Sequence, residues 1–208
     1  FVYLYCLNGK CWIGATPEPF ICSMNNNLFT VSLAGTRVYS EKSQDISKWN
    51  TKELQEQEFV TRHIEEVFLN YGVSGYKKNG PYTVRAGNLL HLRTDFIFPV
   101  NGAGMHMPSL IQALHPTPAV CGMSTGKAMD FIKTSEKHKR EYYTGFLGPL
   151  EINDLMQLYV NLRCMKVMDD RLVLYIGGGI TKESLAEEEW EETEIKAETL
   201  LSVLNQIR

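Results

Sequence analysis

Apolar residues recur at helical spacing in some stretches of the chain and alternate with polar ones in others. Between residues 51 and 71, Phe59, Val60, Ile64, Val67 and Phe68 mark one face of a helix. A second helix is expected over 128–137. A last one opens at Ser184, with Glu187 completing a capping box, and runs to Leu204. Short strands are expected at 2–7 and 11–14 around an Asn8-Gly9 turn, and at 28–33, ending at Ala34-Gly35-Thr36. Further extended pieces fall at 82–84, at 91–98 (stopped by Pro99) and at 142–150. From 158 to 167 the alternation is regular, turns at Asp169-Asp170 and returns through 172–176, which predicts a hairpin broken by Gly177-Gly178-Gly179. Antiparallel runs of strands with helices between them predict an α+β fold rather than a doubly wound sheet. No internal repeat or linker interrupts the pattern, so residues 1–208 read as one domain.

Composition narrows the function classes. The chain has 208 residues, 44% apolar, enough for one sizeable core. Twenty-one basic residues against 24 acidic ones, a formal charge of −3, give no general affinity for nucleic acid or anionic lipid. No apolar run approaches the roughly 18 residues of a membrane span. Neither nucleic acid nor membrane is therefore expected as a partner. Five scattered cysteines (Cys6, Cys11, Cys22, Cys121, Cys164) read as reduced thiols of a cytoplasmic protein. Cys6 and Cys11 would make half a zinc site, but no matching Cys/His pair follows. Phe1-Val2-Tyr3-Leu4-Tyr5 carries neither an initiator Met nor a signal peptide and reads as a strand entered mid-domain, in the C-terminal portion of something longer.

Two helices carry carboxylates where apolar side chains belong. Glu56 lies on the stripe of Val60 and Ile64. In the last helix the stripe of Leu200, Val203 and Ile207 runs back through Lys196 to Glu192, with Glu189 a turn earlier. A buried carboxylate needs a cation or must stay protonated. A hard divalent ion would satisfy both helices at once; the alternative is a solvated, acidic first turn. The triple glycine joins a strand to a helix and can cradle an anion or simply turn. Arg163, on a strand of the predicted hairpin, can fork a carboxylate or serve as a surface charge. Thr16-Pro17-Glu18-Pro19 holds a carboxylate in a rigid, non-helical segment.

Taken in order, these pieces resemble the C-terminal portion of chorismate-utilising enzymes, specifically isochorismate synthases. The matching runs are Gly14-Ala15-Thr16-Pro17-Glu18, Leu33-Ala34-Gly35-Thr36-Arg37, Leu114-His115-Pro116-Thr117-Pro118-Ala119-Val120 and Lys139-Arg140-Glu141-Tyr142-Tyr143-Thr144-Gly145. They continue through Leu162-Arg163-Cys164, Tyr175-Ile176-Gly177-Gly178-Gly179-Ile180 and Glu189-Trp190-Glu191-Glu192-Thr193 with Lys196. The resemblance implies two packed antiparallel sheets with outer helices. It also implies a Mg²⁺-dependent conversion of chorismate to isochorismate, in which water adds at ring C2 as the C4 hydroxyl leaves. Glu18 matches the acid that protonates the leaving hydroxyl. Glu56 and Glu192 match metal ligands, with Glu189 a water-mediated partner. Gly35, Thr36, Tyr143, Arg163, Gly177 and Lys196 match positions around the substrate's carboxylates and enolpyruvyl group; Ala119 and Val120 match the ring wall, and His115 sits close by. The Pro116-Thr117-Pro118-Ala119 run favours water over the ammonia used by anthranilate synthase component I, the aminating alternative.

This sequence departs from the family pattern at Met123-Ser124-Thr125, where a proline is usual, and at Ile176 and Gly178. The water-activating lysine belongs to a Lys-Val-Val strand upstream of Phe1, so these residues alone are expected to be inactive, and a chorismate-binding module without turnover is the non-enzymatic alternative. The residues do not distinguish menaquinone from siderophore synthesis; menaquinone is the expectation.

Overall fold

A computed structural model describes residues 1–40, 45–100, 106–152 and 155–206. The chain opens as a hairpin of β1 (Val2–Leu7) and β2 (Lys10–Ala15). Asn8 and Gly9 between them both take positive φ, 51° and 73°, which a two-residue hairpin turn demands and Asn-Gly supplies at least strain. A second hairpin, β3 (Pro19–Met24) and β4 (Asn27–Val38), leads to a short 3₁₀ turn and α1 (Thr51–Asn70). Next come β5 (Lys77–Ala86), β6 (Leu89–Pro99), α2 (Met107–Leu114), α3 (Pro118–Cys121) and α4 (Thr125–Ser135). The chain returns through β7 (Phe146–Leu147), β8 (Leu150–Ile152), β9 (Leu155–Val160), β10 (Cys164–Val167) and β11 (Leu172–Tyr175) to α5 (Ala186–Asn205).

All strand pairs are antiparallel and fall into two sheets, the arrangement the sequence predicts: β1-β2-β10-β11, and β5-β6-β4-β3-β9-β7 with β8 added to β9. The main core forms where α1 and α2 cover the larger sheet. Val60, Ile64, Val67 and Phe68 meet Phe20, Ile21, Leu28, Phe96 and Phe98, with Leu110 and Leu114 beside them. Phe68 packs edge-on against Phe96 and Phe98, at 5.8 and 4.9 Å between ring centroids. A smaller cluster joins Trp12, Tyr143, Cys164 and Tyr175 on the four-stranded sheet, and Leu162 packs against both. Among the described residues no helix is long and apolar enough to cross a membrane.

Several sequence expectations are corrected. The alternation over 158–167 is not one strand: β9 ends in the larger sheet, and β10 begins in the smaller one. Arg163 lies in the break with φ 48°, not on a hairpin strand. The last helix has no capping box, because Ser184 Oγ accepts the N–H of Thr181 and Leu185 stands at the N-cap. The capping box belongs to α1, between Asn50 and Glu53. Along α5 the buried stripe is Glu189, Lys196 and Leu200; Val203 is 55% exposed, and Ile207 lies outside the described residues. Cys6 and Cys11 are neither reduced thiols nor half a zinc site: the β1–β2 register sets them opposite each other, and they form a disulfide. Cys22, Cys121 and Cys164 are free and buried.

Candidate active site

Two short crossings carry the chain between the sheets, residues 16–18 from β2 to β3 and 161–163 from β9 to β10. They are hydrogen-bonded to each other: Ala15 N–H donates to the Arg163 carbonyl and Val160 N–H to that of Glu18, both at 3.0 Å. The Thr16 hydroxyl adds a bond to the Val160 carbonyl at 2.5 Å. Prolines on either side of Glu18 keep it out of helix, and the left-handed backbone at Arg163 turns the second crossing. The acid and the guanidinium are thereby planted together between the two apolar clusters.

A cavity of about 160 Å³ opens at this point. Its walls include Glu18, the β4 bulge at Gly35 and Thr36, Ala119 and Val120 of α3, Tyr143, Arg163, the glycine loop 177–179, Lys196 and Glu56. Among the residues the sequence singles out, His115 does not line it; its ring packs edge-on between Phe20 and Phe146. Glu189 and Glu192 do not line it either but reach the loop from α5.

The electrostatics follow from burial. Glu18 is 5% exposed, and loss of solvent raises its carboxyl to about 7, against the downward pull of Arg163 and Lys196. Burial likewise pushes the Tyr143 hydroxyl up to about 12 and lowers Arg163. The cavity thus combines a carboxyl that holds its proton near neutrality with two cations, a donor set for an anionic ligand.

Each glycine of the loop lies close to the end of a functional-site side chain. A Cβ on Gly177 would stand 2.8 Å from Tyr143 Oη, one on Gly178 3.3 Å from Glu189 Oε2, and one on Gly179 2.8 Å from Glu56 Oε1. Glu192 Oε1 stands 3.8 Å from the same Gly178 position, so three carboxylates from α1 and α5 reach one stretch of backbone. Burial, and then the charge of Glu192, raise Glu56 to about 7. Glu189 is ion-paired with Lys52, and Glu192 with Lys196, whose ammonium also donates to the Gly177 carbonyl at 3.2 Å. Among the described residues, no three His, Cys, Asp or Glu side chains already surround a common point as metal ligands.

The structure adds residues that sequence reasoning missed. His91 of β6 lines the cavity; its Nδ1 donates to the Gly35 carbonyl at 2.8 Å, which leaves Nε2 as an acceptor, buried and without a partner among the described residues. Burial lowers His91 to about 4, so the ring is neutral. Its signal was a polar residue between two buried leucines, Leu90 and Leu92, in a strand that otherwise reads as core. Arg140, which also lines the cavity, donates to the Val120 carbonyl at 2.8 Å and to Thr144 Oγ1 at 3.2 Å, tying α3 to the segment that carries Tyr143.

Residues 1–205 match the family described as "Chorismate binding enzyme". The vibriobactin-specific isochorismate synthase of Vibrio cholerae is 33% identical over 196 residues, covering 91% of this chain and 50% of that protein. The crystal structure of a putative 2,3-dihydroxybenzoate-specific isochorismate synthase, DhbC, from Bacillus anthracis superposes with a TM-score of 0.86 at 29% identity, covering 98% of this chain and 57% of that one. Anthranilate synthase component I from Streptococcus pneumoniae shares the fold, with a TM-score of 0.78 at 22% identity, covering 95% of this chain and 45% of that one. The chain spans about half the length of the curated relatives it matches.

Proposed function

The chain belongs to the chorismate-binding enzymes, and from that premise we propose that it forms the acid- and carboxylate-bearing portion of an isochorismate synthase. The observation that carries this reading is Glu18, a buried carboxyl raised to about 7, beside Arg163, Lys196 and Tyr143 in one cavity. A reaction that expels a hydroxyl needs a proton delivered to the leaving oxygen, and a carboxyl still protonated near neutrality can supply it. Arg163, Lys196 and Tyr143 hold the substrate's carboxylates. Neutral His91, able only to accept at Nε2, takes a hydroxyl proton as a hydrogen bond. Ala119 and Val120 press on the ring, and Gly35 and Thr36 close the enolpyruvyl side.

Glu56 and Glu192, with Glu189 through water, would hold Mg²⁺. The fit is chemical: an all-carboxylate, hard-oxygen set gathered at a loop whose missing Cβ atoms leave the approach open. When bound, the ion would anchor the ring carboxylate of the substrate and offset the repulsion between it and these glutamates.

Lys196 lines the cavity but is tied to Glu192 and the Gly177 carbonyl, so it is not a free base for the attacking water. On this reading the water-activating lysine of the family is not among these 208 residues, which alone are expected to turn over no chorismate, whereas the complete protein, given chorismate and Mg²⁺, should yield isochorismate, identified by chromatography and NMR of the product. Failure of the complete protein to convert chorismate would sink the reading. Turnover by the 208 residues at a normal rate would show that the base lies within them.

A further inference from the structure

Lys52 places a cation where its own helix least favours one. It stands in the first turn of α1, beside free N–H groups that already carry partial positive charge. Its ammonium is nevertheless paired with Glu189 in the first turn of α5, with only 19% and 7% of the two side chains exposed. Glu56 follows Lys52 by one turn on the same face of α1, and Glu192 follows Glu189 on α5. Lys52 does not line the cavity.

We propose that Lys52 is a positioning residue that holds Glu189 in the metal-free site by standing in for the divalent cation, and that metal binding releases its ammonium from Glu189. This rests on the reading of the glutamates as metal-holding groups. Three carboxylates gathered at one loop repel one another. A tethered ammonium cancels one of those charges while the site is empty and keeps Glu189 facing the loop. A divalent ion brings two charges to the same oxygens, and it and the ammonium repel each other across that distance. Lys52 therefore competes with the ion while preserving the site's shape. Lys196 differs, because its second bond, to the Gly177 carbonyl, holds it whether or not Glu192 is engaged.

Mn²⁺ titrated into the complete protein without chorismate, with free Mn²⁺ read by electron paramagnetic resonance, tests this independently of turnover. Lys52→Met keeps the stem and removes the charge. It should bind Mn²⁺ about threefold to tenfold more tightly than wild type, the scale of one competing ion pair. Its metal-free melting temperature should fall and be restored by Mn²⁺. Lys52→Arg, which retains the charge, should stay near wild type, and Lys52→Gln serves if the Met variant does not fold. Equal or weaker binding by the charge-removed variant would overturn the proposal. If in addition Glu56→Gln abolishes Mn²⁺ binding, the metal-holding role stands and only this inference falls. If wild type binds no Mn²⁺, both fall, and the identity of the product formed from chorismate still judges the enzyme reading separately.

Discussion

Arg163 pulls the Glu18 carboxyl toward ionisation, but the burial the two share outweighs that pull and leaves Glu18 at about 7. A general acid is useful only while protonated, so kcat/KM should fall by about tenfold per pH unit above that value. Glu18→Gln should lower kcat by about 10²-fold or more while leaving substrate binding nearly unchanged, as expected for a contact made in the transition state. A pH–rate profile of the complete enzyme and a comparison of KM with kcat check both; an active Glu18→Gln would remove the acid from this position.

The same group makes stability depend on pH. Below 4.5, Glu18 is protonated in the folded and the unfolded chain alike. As pH rises from there toward 7, the unfolded chain releases the proton while the folded one keeps it, so stability falls and then levels off. The loss attributable to Glu18 should total about 3 kcal/mol, and Glu18→Gln should remove that share of the slope while the share of Glu56, also raised to about 7, remains. Urea unfolding from pH 4 to pH 8 measures it.

Glu56→Gln and Glu192→Gln should each weaken divalent-ion binding by about 10²-fold or more while leaving the melting temperature close to that of wild type. Both changes keep the shape and remove the charge. Isothermal titration with Mg²⁺ and a thermal melt suffice, and full Mg²⁺ affinity in both variants would return these glutamates to the role of solvated helix residues.

Gly179→Ala tests the loop rather than the ligand. The added methyl would meet Glu56 Oε1 at 2.8 Å, so the carboxylate must move. Ion affinity should drop by about tenfold, a shift of the size seen when groups that orient a ligand are changed. The circular dichroism spectrum should stay that of the wild type.

Given chorismate, Mg²⁺ and excess ammonium, the complete enzyme should form isochorismate and no anthranilate, because the Pro116-Thr117-Pro118-Ala119 run, whose Ala119 lines the cavity, resembles that of the water-using enzymes. The fold shared with an anthranilate synthase component cannot decide this, since both activities use it. Product analysis decides it, and anthranilate as the main product would reverse the choice of nucleophile.

Charge on helices that bury apolar faces drew attention to Glu56, Glu189 and Glu192 in the sequence, and the structure brings all three to the glycine loop, although the α5 stripe itself differs from the expected one. Glu18 was visible through its flanking prolines. The break at 161–163 was not, because alternation runs through it and only the left-handed Arg163 and the change of sheet end the strand. His91 hid in a strand whose neighbours are buried, where one polar residue looks like a core histidine. Lys52 hid because a lysine at a helix start is ordinary on a surface, and what makes it unusual is Glu189, 137 residues away. The helix start at Ser184 failed for a related reason: its hydroxyl was claimed by Thr181 in a turn that spacing alone cannot reveal.

The glycine loop also limits how this pocket can diversify. A side chain at Gly177 or Gly179 would press on Tyr143 or Glu56, so a substitution at either moves a group at the cavity before it can reshape the space available to a ligand. Ala119 and Val120 in the ring-side wall have side chains that can be exchanged one methyl at a time. Descendants of this protein that accept a differently substituted ring, or admit a different attacking molecule, should therefore differ first at 119 and 120, with Gly177 and Gly179 retained.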